Sequence, residues 1–291
     1  MIVLSPECFP CFLLQADLAA RAHGATEGER LSLAARFRTL LTNLPSGGEV
    51  PAKTATRLHA EVRATLGTDD PFRPVKERHL SRFAETAKWA EGLVTASPDP
   101  WAAAVWLSVT GNIMDSGIIE QDAMEREAGS VAQEAAGGFR LPRHFRERLL
   151  EAGTVGFLLD NAGEAAFDVP LLSLLSSRGA RVWLGVKGGP VIDDLTMAEA
   201  QRLGLSAYGE LVSNGNRGVG TDLSLCAETF LDRLANSELI LSKGQANFET
   251  LVGRCPRAYF LLRCKCPVVS RAVGKPEGEL LVLGGDGRPA A

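Results

Sequence analysis

Apolar residues along the first 150 positions recur at helical spacing. Leu13, Leu14, Leu18 and Ala19 form one stripe, and Leu31, Ala34, Ala35, Phe37 and Leu41 form another. The pattern predicts helices over residues 12–23, 27–42, 52–66, 75–97, 101–114 and 144–152, with loop and short helix over 120–136. Breaks fall where Pro and Gly cluster, as in Leu44-Pro45-Ser46-Gly47-Gly48 and Pro98-Asp99-Pro100.

After residue 152 the pattern changes to short, nearly continuous apolar runs that alternate with helical segments. Strands are expected over 154–159, 181–186, 209–212, 239–241, 258–262 and 279–283. Helices are expected between them over 164–177, 197–203, 223–235 and 247–252. Such alternation argues for parallel β-α-β units. The expected architecture is α/β: a helical N-terminal region, residues 1–150, followed by an α/β region with a mostly parallel sheet, residues 151–291.

In an open α/β sheet, ligands sit beyond the carboxyl ends of the strands. Asp160 and Asn161 end one predicted strand, and Asp193 and Asp194 follow the next. If those strands are neighbours, the oxygens converge on a site suited to a hard or borderline cation. The plainer alternative is that the acids cap the helices that follow them. Ser242-Lys243-Gly244-Gln245 runs from a strand into a helix start, where backbone N–H groups and a lysine would suit a phosphate. An ordinary strand–helix turn fits the same residues. Lys265 also follows a strand, either facing an anion or solvated, and Asn112 and Asp115 share a face at the end of an apolar helix.

The 291 residues are 45% hydrophobic and 23% charged, as in globular proteins, and the net charge of −4 offers no footprint for nucleic acid. No apolar run approaches the length of a membrane span. Six cysteines in a chain this long do not make a disulfide scaffold, so a cytoplasmic protein with reduced thiols is expected. Cys8-x-x-Cys11 would be a redox pair, half of a zinc site completed by Cys264 and Cys266, or simply buried helical thiols.

Several motifs together resemble those of the damage-control phosphatases, first catalogued as domain of unknown function 89, in their Cys-x-x-Cys subfamily. They are Cys8-x-x-Cys11, Gly111-Asn112-Ile113-Met114-Asp115, Asp160-Asn161-Ala162-Gly163-Glu164, the run from Lys187 to Asp194, Lys243-Gly244-Gln245-Ala246-Asn247-Phe248-Glu249, and Lys265-Cys266-Pro267. The resemblance implies that the helical N-terminal region packs on a Rossmann-like α/β/α domain, and it implies metal-dependent hydrolysis of phosphate esters of small phosphometabolites, such as sugar phosphates or cofactor intermediates. The ion would be manganese, nickel, cobalt or magnesium. Either water or Asp160 would attack, and water is favoured because a liganding carboxylate is the weaker nucleophile. By motif, Asp160, Asn161 and Asp194 would be metal ligands. Lys243 and the Gly244–Asn247 turn would cradle phosphate, Lys265 would be a second phosphate contact, and Asn112, Asp115 and Glu164 would bind substrate. Asp193 stands where the family often has Asn or Ser. Cys264 and the 218–222 loop also depart from the common pattern.

Two rivals remain at this level. A methyltransferase-like transferase would want a glycine-rich turn where Asp160-Asn161 stands. A non-catalytic metal- or phosphometabolite-binding protein would keep the same ligands without turnover.

Overall fold

The computed structural model describes residues 2–43, 48–112 and 140–290. Three helices come first: α1 (Cys8–His23), α2 (Glu27–Thr42) and α3 (Pro51–Leu66). Local signals set their ends. Thr26 and Glu29 form a reciprocal capping box at the start of α2, and α3 has Pro51 in its first turn and the left-handed Gly67 after its last. Next come α4 (Arg73–Ala96), α5 (Pro100–Gly111) and α6 (Arg143–Glu151). The expectation for 120–136, and Asp115, lie outside the described residues.

The sheet is built from β1 (Thr154–Leu158), β2 (Arg181–Val186), β3 (Glu210–Ser213), β4 (Leu239–Lys243), β5 (Ala258–Arg263) and β6 (Leu280–Gly284). Helices α7 (Ala165–Ser177), α8 (Met197–Arg202), α9 (Glu228–Asn236), α10 (Gln245–Leu251) and α11 (Pro267–Val273) lie between the strands. The strand order is β3-β2-β1-β4-β5-β6, parallel except for β6, which runs antiparallel to β5. The expected helix over 223–235 is instead a 3-10 turn, Leu223–Leu225, followed by α9. Helix α11 was not foreseen.

Alternate strand residues serve different cores. Val155 and Phe157 of β1, with Leu239 and Leu241 of β4, pack against a layer that includes Ala104 and Val105 of α5 and Phe167 and Leu171 of α7. Leu158 and Ile240 face the other way, onto Phe230 of α9 and Phe248 and Leu251 of α10. This is the α/β/α sandwich that the resemblance implied, and residues of α4 and α5 pack into its core.

Helices α1–α3 make a third core, and Val191 and Val219, from the loops after β2 and β3, insert into it. The three helices therefore sit over the carboxyl ends of the strands. The buried face of α1 is Cys8, Phe12, Ala16, Ala19 and Ala20, whereas Leu14 is 51% exposed, as is Leu31 of α2 at 66%. The expected leucine stripes are thus wrong in part, because the alanine row lets neighbouring helices approach closely while Leu14 turns to a cavity wall. Among the described residues no helix is long and apolar enough to cross a membrane.

Inside this cap His59 is buried, and its Nε2 lies 3.1 Å from Gln15 Oε1. Burial lowers its pKa from 6.5 to about 4. The folded state therefore resists protonating His59, so stability present above pH 6.5 is lost as pH falls towards 4. The loss should reach roughly 3 kcal/mol near pH 4. Urea titrations from pH 7 to 4 should show this slope in the wild type and a flatter one in His59→Gln.

Candidate active site

At β1 the chain order reverses: β2 and β3 lie on one side, β4 to β6 on the other. Such a switch point opens a crevice beyond the strand ends. Asp160 and Asn161 leave β1 into it. The loop after β2 folds back and is stitched to them. Leu195 donates its N–H to Asp160 O at 2.9 Å, Ala162 donates to Asp193 O at 2.8 Å, and Asn161 and Asp194 form an antiparallel bridge. Backbone pairing thus delivers Asp160, Asn161 and Asp194 to one place, although Asp160 and Asp194 are 34 positions apart in sequence.

Asp194 is held from behind. Lys187 Nζ lies 3.2 Å from Asp194 Oδ2, and it also donates to Gly220 O and, at 3.1 Å, to Gly218 O, drawing in the loop after β3. On the other side Asp160 presses on the backbone of β4's exit. A Cβ on Gly244 would stand 1.8 Å from Asp160 Oδ2, and Gly244 has φ +80°. Gly244→Ala should therefore cost at least about 1 kcal/mol and displace Asp160. Chemical denaturation and a divalent-metal titration would detect both; an unchanged variant would contradict the close approach.

Burial raises the pKa of Asp160 well above the usual carboxylate range, and Asp194 and Glu164 push it further in the same direction. Burial also raises Asp194, against the pull of Lys187. Two desolvated carboxylates on adjoining loops, with an amide oxygen between them in sequence, are a hard-donor set whose crowded negative charge a divalent cation would relieve. The residues fit such an ion. Among the described residues no group of three or more His, Cys, Asp and Glu is placed to hold a metal ion.

Several residues expected at the substrate lie instead beneath this floor. Lys243 was expected to cradle phosphate, yet it is fully buried, 2.9 Å from Glu164 Oε2 and 2.7 Å from Asp168 Oδ1. Burial alone would lower its pKa, but the two carboxylates outweigh that and hold it charged. Asp168 is raised by burial to about 6 and also accepts from Ser108 Oγ at 2.6 Å. Asn112 donates to Glu164 Oε1 at 2.7 Å and more weakly to Asp160 Oδ2 at 3.4 Å, and it accepts from Arg263 N–H at 3.0 Å. Asn247 bridges Thr221 Oγ1 and the Lys243 carbonyl. Asn112, Glu164, Lys243 and Asn247 thus brace the floor, and Gly244 gives Asp160 room.

Above the floor is a cavity of about 300 Å³. Asp160, Asn161, Asp194 and Lys265 line one side of it. Cys8, Cys11, Phe12 and Gln15 of α1, Ala52 of α3 and Gln245, Glu249 and Cys266 are among the residues that line the rest. Cys264 is instead buried in the core behind, so the four cysteines do not gather as a zinc site.

The family profile described as the damage-control phosphatase ARMT1-like domain matches residues 4–281. The chain belongs to this family. A damage-control phosphatase of Archaeoglobus fulgidus is 29% identical over 281 residues, covering 96% of this chain and 98% of that protein. Another from Pyrococcus horikoshii is 30% identical over 237 residues, covering 80% and 81%. The crystal structure of a DUF89 family protein from Pyrococcus horikoshii superposes with a TM-score of 0.83 at 26% identity, over 98% of this chain and 100% of that one.

In this damage-control phosphatase chain, the side chains that motif reading left without a role include those of Lys187, Gln245 and Glu249. A signal for the last two was present, since residues four apart share a helix face. The signal for Lys187 was its place at the end of β2, next to the loop that carries Asp194. The Cys-x-x-Cys pair, for which a redox pair, half of a zinc site and buried helical thiols were the alternatives, forms part of the cavity wall.

Proposed function

We propose that this chain is a divalent-metal-dependent phosphatase acting on phosphate esters of small metabolites, sugar phosphates or phosphorylated cofactor intermediates among them. The observation that carries the proposal is the convergence of Asp160, Asn161 and Asp194 with Lys265 on one side of a cavity of small-molecule size. Membership of the damage-control phosphatase family supports the same chemistry.

Asp160, Asn161 and Asp194 would hold the cation, and magnesium, manganese, cobalt or nickel suits such donors. The cation supplies Lewis-acid polarisation of a phosphoryl oxygen and acidifies water. The protein does the rest. Lys187 fixes the orientation of Asp194. Lys265 faces the site from the end of β5, where its charge acts on Asp160 and would steady the transferring phosphoryl group. Helices α1 and α3 close the cavity over the organic part of the ester and exclude water from it. The buried Lys243–Glu164–Asp168 cluster keeps the floor rigid.

Phosphate release from an aryl phosphate and a panel of sugar phosphates tests this reading. Metal-stripped protein should be inactive, and one or more of the four ions should restore turnover. Equal rates with chelator and with metal, or no release with any ion, would overturn it.

A further inference from the structure

Glu249 and Gln245 stand four apart on α10 and both line the cavity. Glu249 Oε2 accepts the Ala52 N–H in the first turn of α3 at 3.0 Å, and Glu249 Oε1 accepts from Gln245 Nε2 at 3.1 Å. With its donor end so occupied, Gln245 turns Oε1 outward, where it accepts the Lys265 N–H at 3.0 Å; its Nε2 also approaches Cys266 Sγ at 3.4 Å. A chain of hydrogen bonds thus runs from the cap helix, through a buried carboxylate and one amide, to the backbone of Lys265.

Burial raises the pKa of the Glu249 carboxyl to about 7. Ionised, above that pH, it can only accept, so it fixes which end of the Gln245 amide faces it and leaves the amide oxygen for Lys265. We propose that Glu249 and Gln245 are positioning residues that set the Lys265 segment against the phosphoryl group, coupling closure of α3 over the cavity to phosphate binding. The proposal rests on the phosphatase reading for its functional half.

The test exploits the polarity. In Glu249→Gln the new amide can still accept from Ala52, but its NH2 meets the NH2 of Gln245. Gln245 must then flip and release the Lys265 N–H. Gln245→Glu places two carboxylates together. The double exchange Gln245→Glu with Glu249→Gln restores the chain: Gln at 249 donates to Glu at 245, whose second oxygen accepts from Lys265.

Each single variant should raise KM and the inhibition constant of inorganic phosphate about tenfold, with kcat changed less than about threefold. Amide exchange at Lys265 should quicken in parallel, and the double exchange should recover both readouts. A role confined to tethering α3 would lower thermal stability without this split or this recovery. Unchanged phosphate inhibition and Lys265 exchange in Glu249→Gln, or no recovery in the double exchange, would overturn the relay. If the wild-type protein releases no phosphate from any ester, the phosphatase reading falls, and Lys265 exchange still decides the relay.

Discussion

Asp160→Ala should lose stoichiometric divalent metal and at least about a thousandfold in kcat, while its thermal stability holds or rises. The first two effects follow from the proposed role of Asp160 as a metal ligand at the β1 exit, which backbone pairing ties to the loop carrying Asp194. The third follows from its electrostatics. Burial and the neighbouring Asp194 and Glu164 disfavour its charge, so without a cation the carboxylate weakens the fold it sits in. Deleting it removes that repulsion. Kinetics, metal content by elemental analysis and thermal unfolding would be measured together. Wild-type turnover with unchanged metal would eliminate the proposed ligand set. A collapse in stability would mean that Asp160 is held by favourable partners rather than crowded by like charges.

Lys243→Met should unfold much of the protein, costing about 3–5 kcal/mol, because it leaves Glu164 and Asp168 buried without their counter-ion. The motif alone pointed to the opposite outcome: a lysine at a phosphate corner would be replaceable without harm to the fold, and only KM and kcat would suffer. The two outcomes separate in a urea titration. Adding Glu164→Gln and Asp168→Asn to Lys243→Met should recover much of the stability, since neutral amides no longer need the ammonium. If Lys243→Met alone kept wild-type stability and lost phosphate affinity, the buried cluster would open during function and Lys243 would reach the ligand.

The order of elements was legible in the chain by itself. The change near residue 152 from helical stripes to short apolar runs follows from the different periods of helix and strand, and those periods depend only on local geometry. It gave the α/β class, the parallel strands and the acids at the exits of β1 and β2. Tertiary structure alone decided which polar motif residues face the cavity. Asp160, Asn161, Asp194 and Lys265 do; Asn112, Glu164, Lys243 and Asn247 are enclosed below them. It alone brought α1, with Cys8 and Cys11, to the opposite wall, and set Glu249 against the start of α3 across 197 residues of sequence. Spacing along a strand or helix states which side chains share a face. What lies opposite that face depends on contacts between distant segments, and for a charged group the opposite side decides everything: a lysine met by two buried carboxylates is part of the framework, whereas one met by a cavity is available to a ligand.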